Sequence, residues 1–231
     1  MLDILRDKKV IFFDVGYTLD KPASGDWMFT NRFLELTGEK LKQRTETEIQ
    51  QARDAGLHYL AQDHLIQSVE AEIQNFFDYY SIVSDKLGLG LSEEERNQIA
   101  RDRACNMKNY IPYPGTAEVL STLSKTHQLG IISDTWPSIE AQLEYIGVSQ
   151  YLSFTTFSCF VGVFKPDKRI YLDALIKCGV PADETVFIDD VVRNLDGAAA
   201  LGITPILIAA NPASDVKTDY LKIHDLRELI R

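Results

Sequence analysis

Cysteine is scarce in this chain and carries no pattern. Cys105, Cys159 and Cys178 are odd in number, widely spaced and outside any CxxC arrangement, which excludes a disulfide framework and a zinc knuckle. They read as reduced, mostly buried thiols. Long apolar runs are missing too, and none approaches the ~20 residues a membrane span requires. The first residues carry Asp3, Arg6, Asp7, Lys8 and Lys9 in place of an apolar leader, so the expectation is a cytoplasmic protein that is not exported. Positive charge is in deficit, with 24 basic against 34 acidic residues and a formal charge of −10. Such a surface repels phosphate backbones and anionic bilayers, which excludes nucleic acid and membrane as expected partners. Repeats and low-complexity tracts are absent. What remains is a globular chain of 231 residues, long enough for two structural units and expected to be a monomer or homodimer.

The most telling absence is a single carboxylate. Asp14 ends the apolar run Val10-Ile11-Phe12-Phe13 and is followed by Val15-Gly16-Tyr17-Thr18. An acid at the tip of a buried strand suits a nucleophile or metal ligand. The companion acid such chemistry usually has two residues later is replaced by Gly16.

Four short apolar runs predict buried parallel strands: Val10 to Phe13, Leu129 to Ile132, Val186 to Ile188 and Ile206 to Ala209. Phe154 to Phe157 is a further short candidate. Helical patterns at Thr116 to Thr126, Ser138 to Tyr145, Lys168 to Lys177 and Asn194 to Leu201 separate the later strands. Gly147, Gly179 and Gly202 stand where C-terminal caps belong. This alternation predicts an α/β fold with a doubly wound parallel sheet. From about Asp20 to Met107 no β-like run occurs. Thr45 with Glu48 and Ser92 with Glu95 have capping-box spacing, and Ile73, Phe76, Phe77, Tyr80, Val83 and Leu87 recur at helical steps. An all-helical cap over residues 20–109 is therefore predicted within an α/β core of residues 1–19 and 110–231, with Tyr113-Pro114-Gly115 marking the return.

In a parallel sheet, ligands gather at the carboxyl ends of the strands. The first predicted strand brings Asp14 and Thr18 there, the second Ser133 and Asp134, and the Val186 run Asp189 and Asp190. These hard oxygen donors suit Mg²⁺, which takes few protein ligands and shares a substrate phosphate. Lys165, before Pro166, adds a cation. Taken singly, an acid after a strand is usually a turn or cap residue, and such a lysine is usually solvated. Two adjacent acids at a buried strand end repel each other unless something compensates, so the combination outweighs its members.

These segments resemble the motifs of the haloacid dehalogenase-like superfamily. The nucleophile motif is similar to Phe13-Asp14-Val15-Gly16-Tyr17-Thr18-Leu19, the second to Ile131-Ile132-Ser133-Asp134, and the third to Lys165-Pro166-Asp167. The fourth is similar to Phe187-Ile188-Asp189-Asp190, with Asn194 and Ala198 following. The resemblance implies a Rossmann-like core with a helical cap and a hydrolase of a small phosphorylated metabolite. It implies that Asp14 attacks phosphorus and becomes an aspartyl phosphate. Thr18, Ser133, Asp134 and Lys165 are implied as the phosphate-binding set, with Lys165 also easing the approach of two anions. Asp14, the Gly16 carbonyl, Asp189 and Asp190 are implied as the Mg²⁺ set.

The same resemblance makes Gly16 a departure. In the family's phosphatases that position is an aspartate that protonates the leaving oxygen, and its loss typically costs ~10²–10⁴ in rate. Acyl phosphates, phosphoanhydrides and aryl esters would suffer least. Tyr17, Asp20, His58 and His64 are candidate replacements. The competing class is a weak or silent module that binds a phospholigand or protein in the same crevice. A phosphonate-cleaving reading would use a cap lysine such as Lys40 or Lys42. A dehalogenase reading is disfavoured by the retained Asp189-Asp190 pair.

Overall fold

The computed structural model describes residues 2–231. Strand β1 (Val10–Phe13) is buried on both faces, as four consecutive apolar residues require. The chain then forms the three-residue strand β2 (Asp20–Pro22) and helices α1 (Asn31–Leu41), α2 (Glu46–Gln62), α3 (Val69–Leu87) and α4 (Glu93–Cys105). Strand β3 (Tyr110–Pro112) returns antiparallel to β2. Next come α5 (Thr116–Leu123), β4 (Gln128–Ser133), α6 (Ile139–Tyr145), β5 (Phe154–Phe157) and the short α7 (Ser158–Val161). The chain closes with α8 (Lys168–Cys178), β6 (Thr185–Asp189), α9 (Val192–Ala199), β7 (Thr204–Ile208) and β8 (Leu221–Ile223).

Six strands form one parallel sheet in the order β5-β4-β1-β6-β7-β8. Phe13 is in register with both Ile131 and Ile188, so the chain segments following β1, β4 and β6 emerge side by side. Alternate residues face opposite layers. Ile11, Phe13, Ile131 and Ile188 pack with Val119, Leu123 and Leu143, while Phe12, Ile132 and Phe187 pack with Ile170, Leu195 and Ala198.

The four helices of the inserted segment share their own apolar cluster, built on Phe33, Phe76, Tyr80, Val83 and Ile99. Both predicted capping boxes form, at Thr45 and Ser92. α2 and α3 approach closely because Gly56 has no side chain: a Cβ there would meet the Tyr79 ring at 2.6 Å.

Three expectations need correction. The segment from Asp20 is not wholly helical, since its first three residues pair with β3. A three-residue strand containing a proline has too few positions to show alternation. β8 was absent from the predicted strands because its outer residues are solvated on the sheet edge. Cys105 is exposed at the end of α4, although Cys159 is buried and all three thiols are free.

Candidate active site

A cavity of about 420 Å³ opens at the carboxyl ends of β1, β4 and β6, beneath the helical segment. From the sheet side it is lined by Asp14, Gly16, Tyr17, Ser133, Asp134, Lys165, Asp190 and Asn194. From the inserted segment come Trp27, Met28, Arg53, Leu57 and Arg103.

Lys165 organises the floor. Its Nζ donates to Asp14 Oδ1 at 2.6 Å, to Asp189 Oδ2 at 2.7 Å and to the Ile132 carbonyl at 3.3 Å, which uses all three ammonium protons. Burial works against its charge, but Asp14, Asp189 and Asp134 outweigh that effect and hold its pKa above the ordinary lysine value. For Asp14 the order is reversed: burial raises its pKa, Lys165 pulls back, and Asp189 and Asp190 push it up again. One ammonium does not neutralise this group of acids. Asp14 Oδ2 has no hydrogen-bond partner among the described residues.

Ser133 ends β4, is buried, and leaves its hydroxyl without a protein partner among the described residues while lining the cavity. Asp134 Oδ1 accepts from the Lys165 backbone N–H at 2.9 Å and so anchors the loop that carries the lysine. Asp190 Oδ2 accepts from Ser214 Oγ at 2.8 Å, which leaves Oδ1 open. Burial raises its pKa to about 6, opposed by the Ser214 bond and reinforced by Asp189.

The cation set implied by the sequence divides in two. Asp14, Gly16 and Asp190 line the cavity. Asp189 does not: it is fully buried and accepts from Lys165, the Val191 N–H and Asn194 Nδ2, so its oxygens hold the lysine and the start of α9. Thr18 is also fully buried and off the cavity wall, with Oγ1 unpartnered, so the structure does not bring it to a phosphate. Among the described residues no three His, Cys, Asp or Glu side chains group closely enough to form a metal site by themselves. Two carboxylates with free oxygens and one carbonyl still fit Mg²⁺, a hard cation that keeps several waters.

Of the candidate replacement acids, only Tyr17 lines the cavity. Its backbone is left-handed (φ 56°), and burial raises the pKa of its phenol. Asp20 is fully buried and accepts from Gln142 Nε2 at 2.6 Å, and burial raises its pKa to about 7. His58 is exposed on α2. His64 is buried against Phe164 and bonded to Ser158 Oγ at 2.7 Å. Lys40 donates to the Leu89 carbonyl and Lys42 pairs with Glu39, so neither lysine reaches the cavity.

Sequence reasoning missed the wall opposite the carboxylates. The Trp27 indole packs edge-on to Tyr17, with centroids 5.1 Å apart, and covers Gly16. Arg53 is paired with Asp26 and stacked on Phe29. Arg103 is buried, with Nη1 donating to Tyr110 Oη at 2.6 Å. No local pattern marks these residues, because each belongs to a different element.

Comparison with known proteins places the chain in a family and supports its fold. The model of the haloacid dehalogenase-like hydrolase family matches residues 8–202. The GMP/IMP nucleotidase YrfG of Escherichia coli is 25% identical over 169 residues, covering 69% of this chain and 72% of that protein. A 2-haloacid dehalogenase from Pseudomonas syringae superposes with a TM-score of 0.63 at 22% identity, covering 96% of both chains. A phosphatase of the same superfamily from Thermococcus onnurineus superposes with a TM-score of 0.63 at 23% identity, over 96% of this chain and 95% of that one. At these identities the structural likenesses establish the fold alone.

Proposed function

Since the chain belongs to the haloacid dehalogenase-like hydrolase family, we propose that it is a Mg²⁺-dependent phosphatase of small phosphorylated metabolites, with Asp14 as nucleophile. One observation carries this reading. A buried lysine holds Oδ1 of Asp14, while Asp14 Oδ2, the Ser133 hydroxyl and Asp190 Oδ1 are left without protein partners around one cavity.

Asp14 Oδ2 attacks phosphorus, and the bond from phosphorus to the leaving oxygen breaks with its electron pair on that oxygen. Water then attacks the aspartyl phosphate at phosphorus, and the bond from Asp14 to phosphorus breaks with its electron pair on the restored carboxylate. The water protons leave with the released phosphate or pass to solvent. Lys165 and Ser133 hold the non-bridging oxygens, and Lys165 offsets repulsion between Asp14 and the incoming dianion. Asp14, the Gly16 carbonyl and Asp190 would hold Mg²⁺, which supplies the positive charge this acid-rich floor lacks. Asp189 acts one step back by fixing Lys165. The nucleotidase relative supports phosphoryl chemistry, and the open Asp190 carboxylate argues against carbon–halogen cleavage.

Gly16 supplies no acid to the leaving oxygen, and a Cβ in its place would crowd the Trp27 indole at 3.1 Å. Acyl phosphates, phosphoanhydrides and aryl esters, whose leaving groups depart without a proton, are the favoured substrates. The test is turnover of an aryl phosphate, an acyl phosphate and a nucleoside monophosphate, with and without Mg²⁺. Mg²⁺-dependent turnover that Asp14→Asn abolishes is the expected result. Binding of Mg²⁺ and phosphate with turnover of none of the three would instead favour a ligand-binding module.

A further inference from the structure

Arg103 stands out among the cations lining the cavity. Arg53 is committed to Asp26 and Lys165 to Asp14 and Asp189. Arg103 is only 7% exposed, yet it forms no ion pair among the described residues. Its Nη1 donates to Tyr110, its Nε is buried without a partner, and its guanidinium lies over the Phe76 ring at 4.9 Å.

No nearby acid forms an ion pair or hydrogen bond with Arg103 among the described residues, although Asp20 Oδ1 is itself without a partner. Both Glu72 oxygens accept from Ser138, one from the backbone N–H at 2.8 Å and one from the hydroxyl at 2.6 Å. Asp20 Oδ2 accepts from Gln142. A buried guanidinium with an unused donor is costly unless something anionic reaches it. It also projects a planar fork suited to a carboxylate or phosphate.

We propose that Arg103 is a second anion subsite, so that the substrate carries, on the leaving-group side of its phosphate, a carboxylate or a second phosphate. This rests on the phosphatase reading and narrows its substrate class to metabolites with a phosphate at one end and a second anionic group at the other. The phosphate meets Ser133 and Lys165 on the sheet side, and the second anion meets Arg103 on the α4 side. Trp27 and Trp136 line the same cavity. A chain of net charge −10 gains selectivity from confining its attraction for anions to these two points.

The test uses 3- and 4-carboxyphenyl phosphate against the matching carbamoylphenyl phosphates, which are alike in shape and differ in charge. Affinities are measured by calorimetry with Mg²⁺ present on the full chain carrying Asp14→Asn, so that no turnover intervenes. The carboxylate should bind about tenfold more tightly at one ring position or both, as expected for a charge-assisted pair. That advantage should shrink to about twofold or less in Asp14→Asn with Arg103→Met, and persist in part with Arg103→Lys. Should Arg103→Met fail to fold, Arg103→Gln, which is uncharged but keeps a polar end, takes its place. Equal affinity for charged and neutral compounds at both positions overturns the proposal, as does an advantage that survives loss of the guanidinium. Turnover of the same compounds by the unmutated protein reports separately. Charge-selective binding without turnover sinks the phosphatase reading and keeps the subsite, and turnover without charge selectivity does the reverse.

Discussion

The indole of Trp27 lies 3.1 Å from the point where a Cβ on Gly16 would stand. The glycine is therefore half of a packed pair, and the missing acid is accompanied by a wall built where it would project. Trp27 is held in turn by Tyr17 and Tyr110, with centroids at 5.1 and 6.3 Å.

Restoring the acid alone should not restore alkyl-phosphate turnover. Gly16→Asp forces the indole aside and should cost about 1–3 kcal/mol of stability through overpacking. Pairing it with Trp27→Ala makes room, and alkyl-phosphate turnover should then rise by ~10² or more, as expected for a regained acid. Steady-state kinetics with a nucleoside monophosphate and thermal melts of the three variants decide this. A gain from Gly16→Asp alone would show that Trp27 is no obstacle.

Mg²⁺ binding should weaken in mild acid. Burial raises Asp190 to about 6, so its oxygens are free for a cation above that pH and increasingly protonated below it. Apparent Mg²⁺ affinity should fall by about tenfold per pH unit below that point through Asp190 alone. Asp190→Asn should abolish both the binding and the slope. Calorimetric titration across this range would refute the assignment if the affinity were flat.

Asp20 should make the protein less stable as pH rises. Its folded pKa is raised to about 7 from an ordinary value of 3.8, chiefly by burial. The folded state thus holds the proton more tightly than the unfolded chain. Its stabilising contribution is complete below the ordinary value and is lost as pH climbs to about 7, up to roughly 4 kcal/mol in all. Asp20→Asn keeps a group able to accept from Gln142 and removes the titration, so its denaturant midpoint should vary less over that interval. An unchanged pH dependence would mean that Asp20 ionises freely in the folded protein.

The Glu72–Ser138 contact should hold the helical segment against the sheet domain. Ser138→Ala deletes the 2.6 Å bond and leaves Glu72 Oε1 unpaired in a buried site, at a cost of about 1–3 kcal/mol. Hydrogen exchange should accelerate in α3 and α6 before it does in β1 or β6. Uniform acceleration through the sheet would show that the bond stabilises the whole molecule and not this junction.

The sheet was legible because its strands are buried on both faces and so read as apolar runs: β1 and β5 match the predicted spans residue for residue. The stripe from Ile73 to Leu87 likewise lies on α3. The ribbon of β2 and β3 was not legible, since its strands are three residues each and the facing pair Pro22 and Tyr110 is 88 positions apart in the chain. The polar residues after the apolar runs also named Asp14, Ser133 and Asp190, because register in a parallel sheet turns strand ends into neighbours, whereas Lys165 was named by the motif around Pro166.

By itself, then, the sequence determined the buried strands β1, β4, β5, β6 and β7, the helical insertion and the chemical types at the strand ends, all of which are local features of the chain. Tertiary structure alone decided that Asp189 turns inward to Lys165 while Asp190 faces the cavity, and that Thr18 is buried behind the loop. It alone placed Trp27 beside Gly16 and left Arg103 on the cavity wall with its Nε unpartnered. The physical reason is common to all four. Whether a polar group is available to a ligand depends on which partners from distant segments have already taken its hydrogen bonds, and no local pattern encodes that.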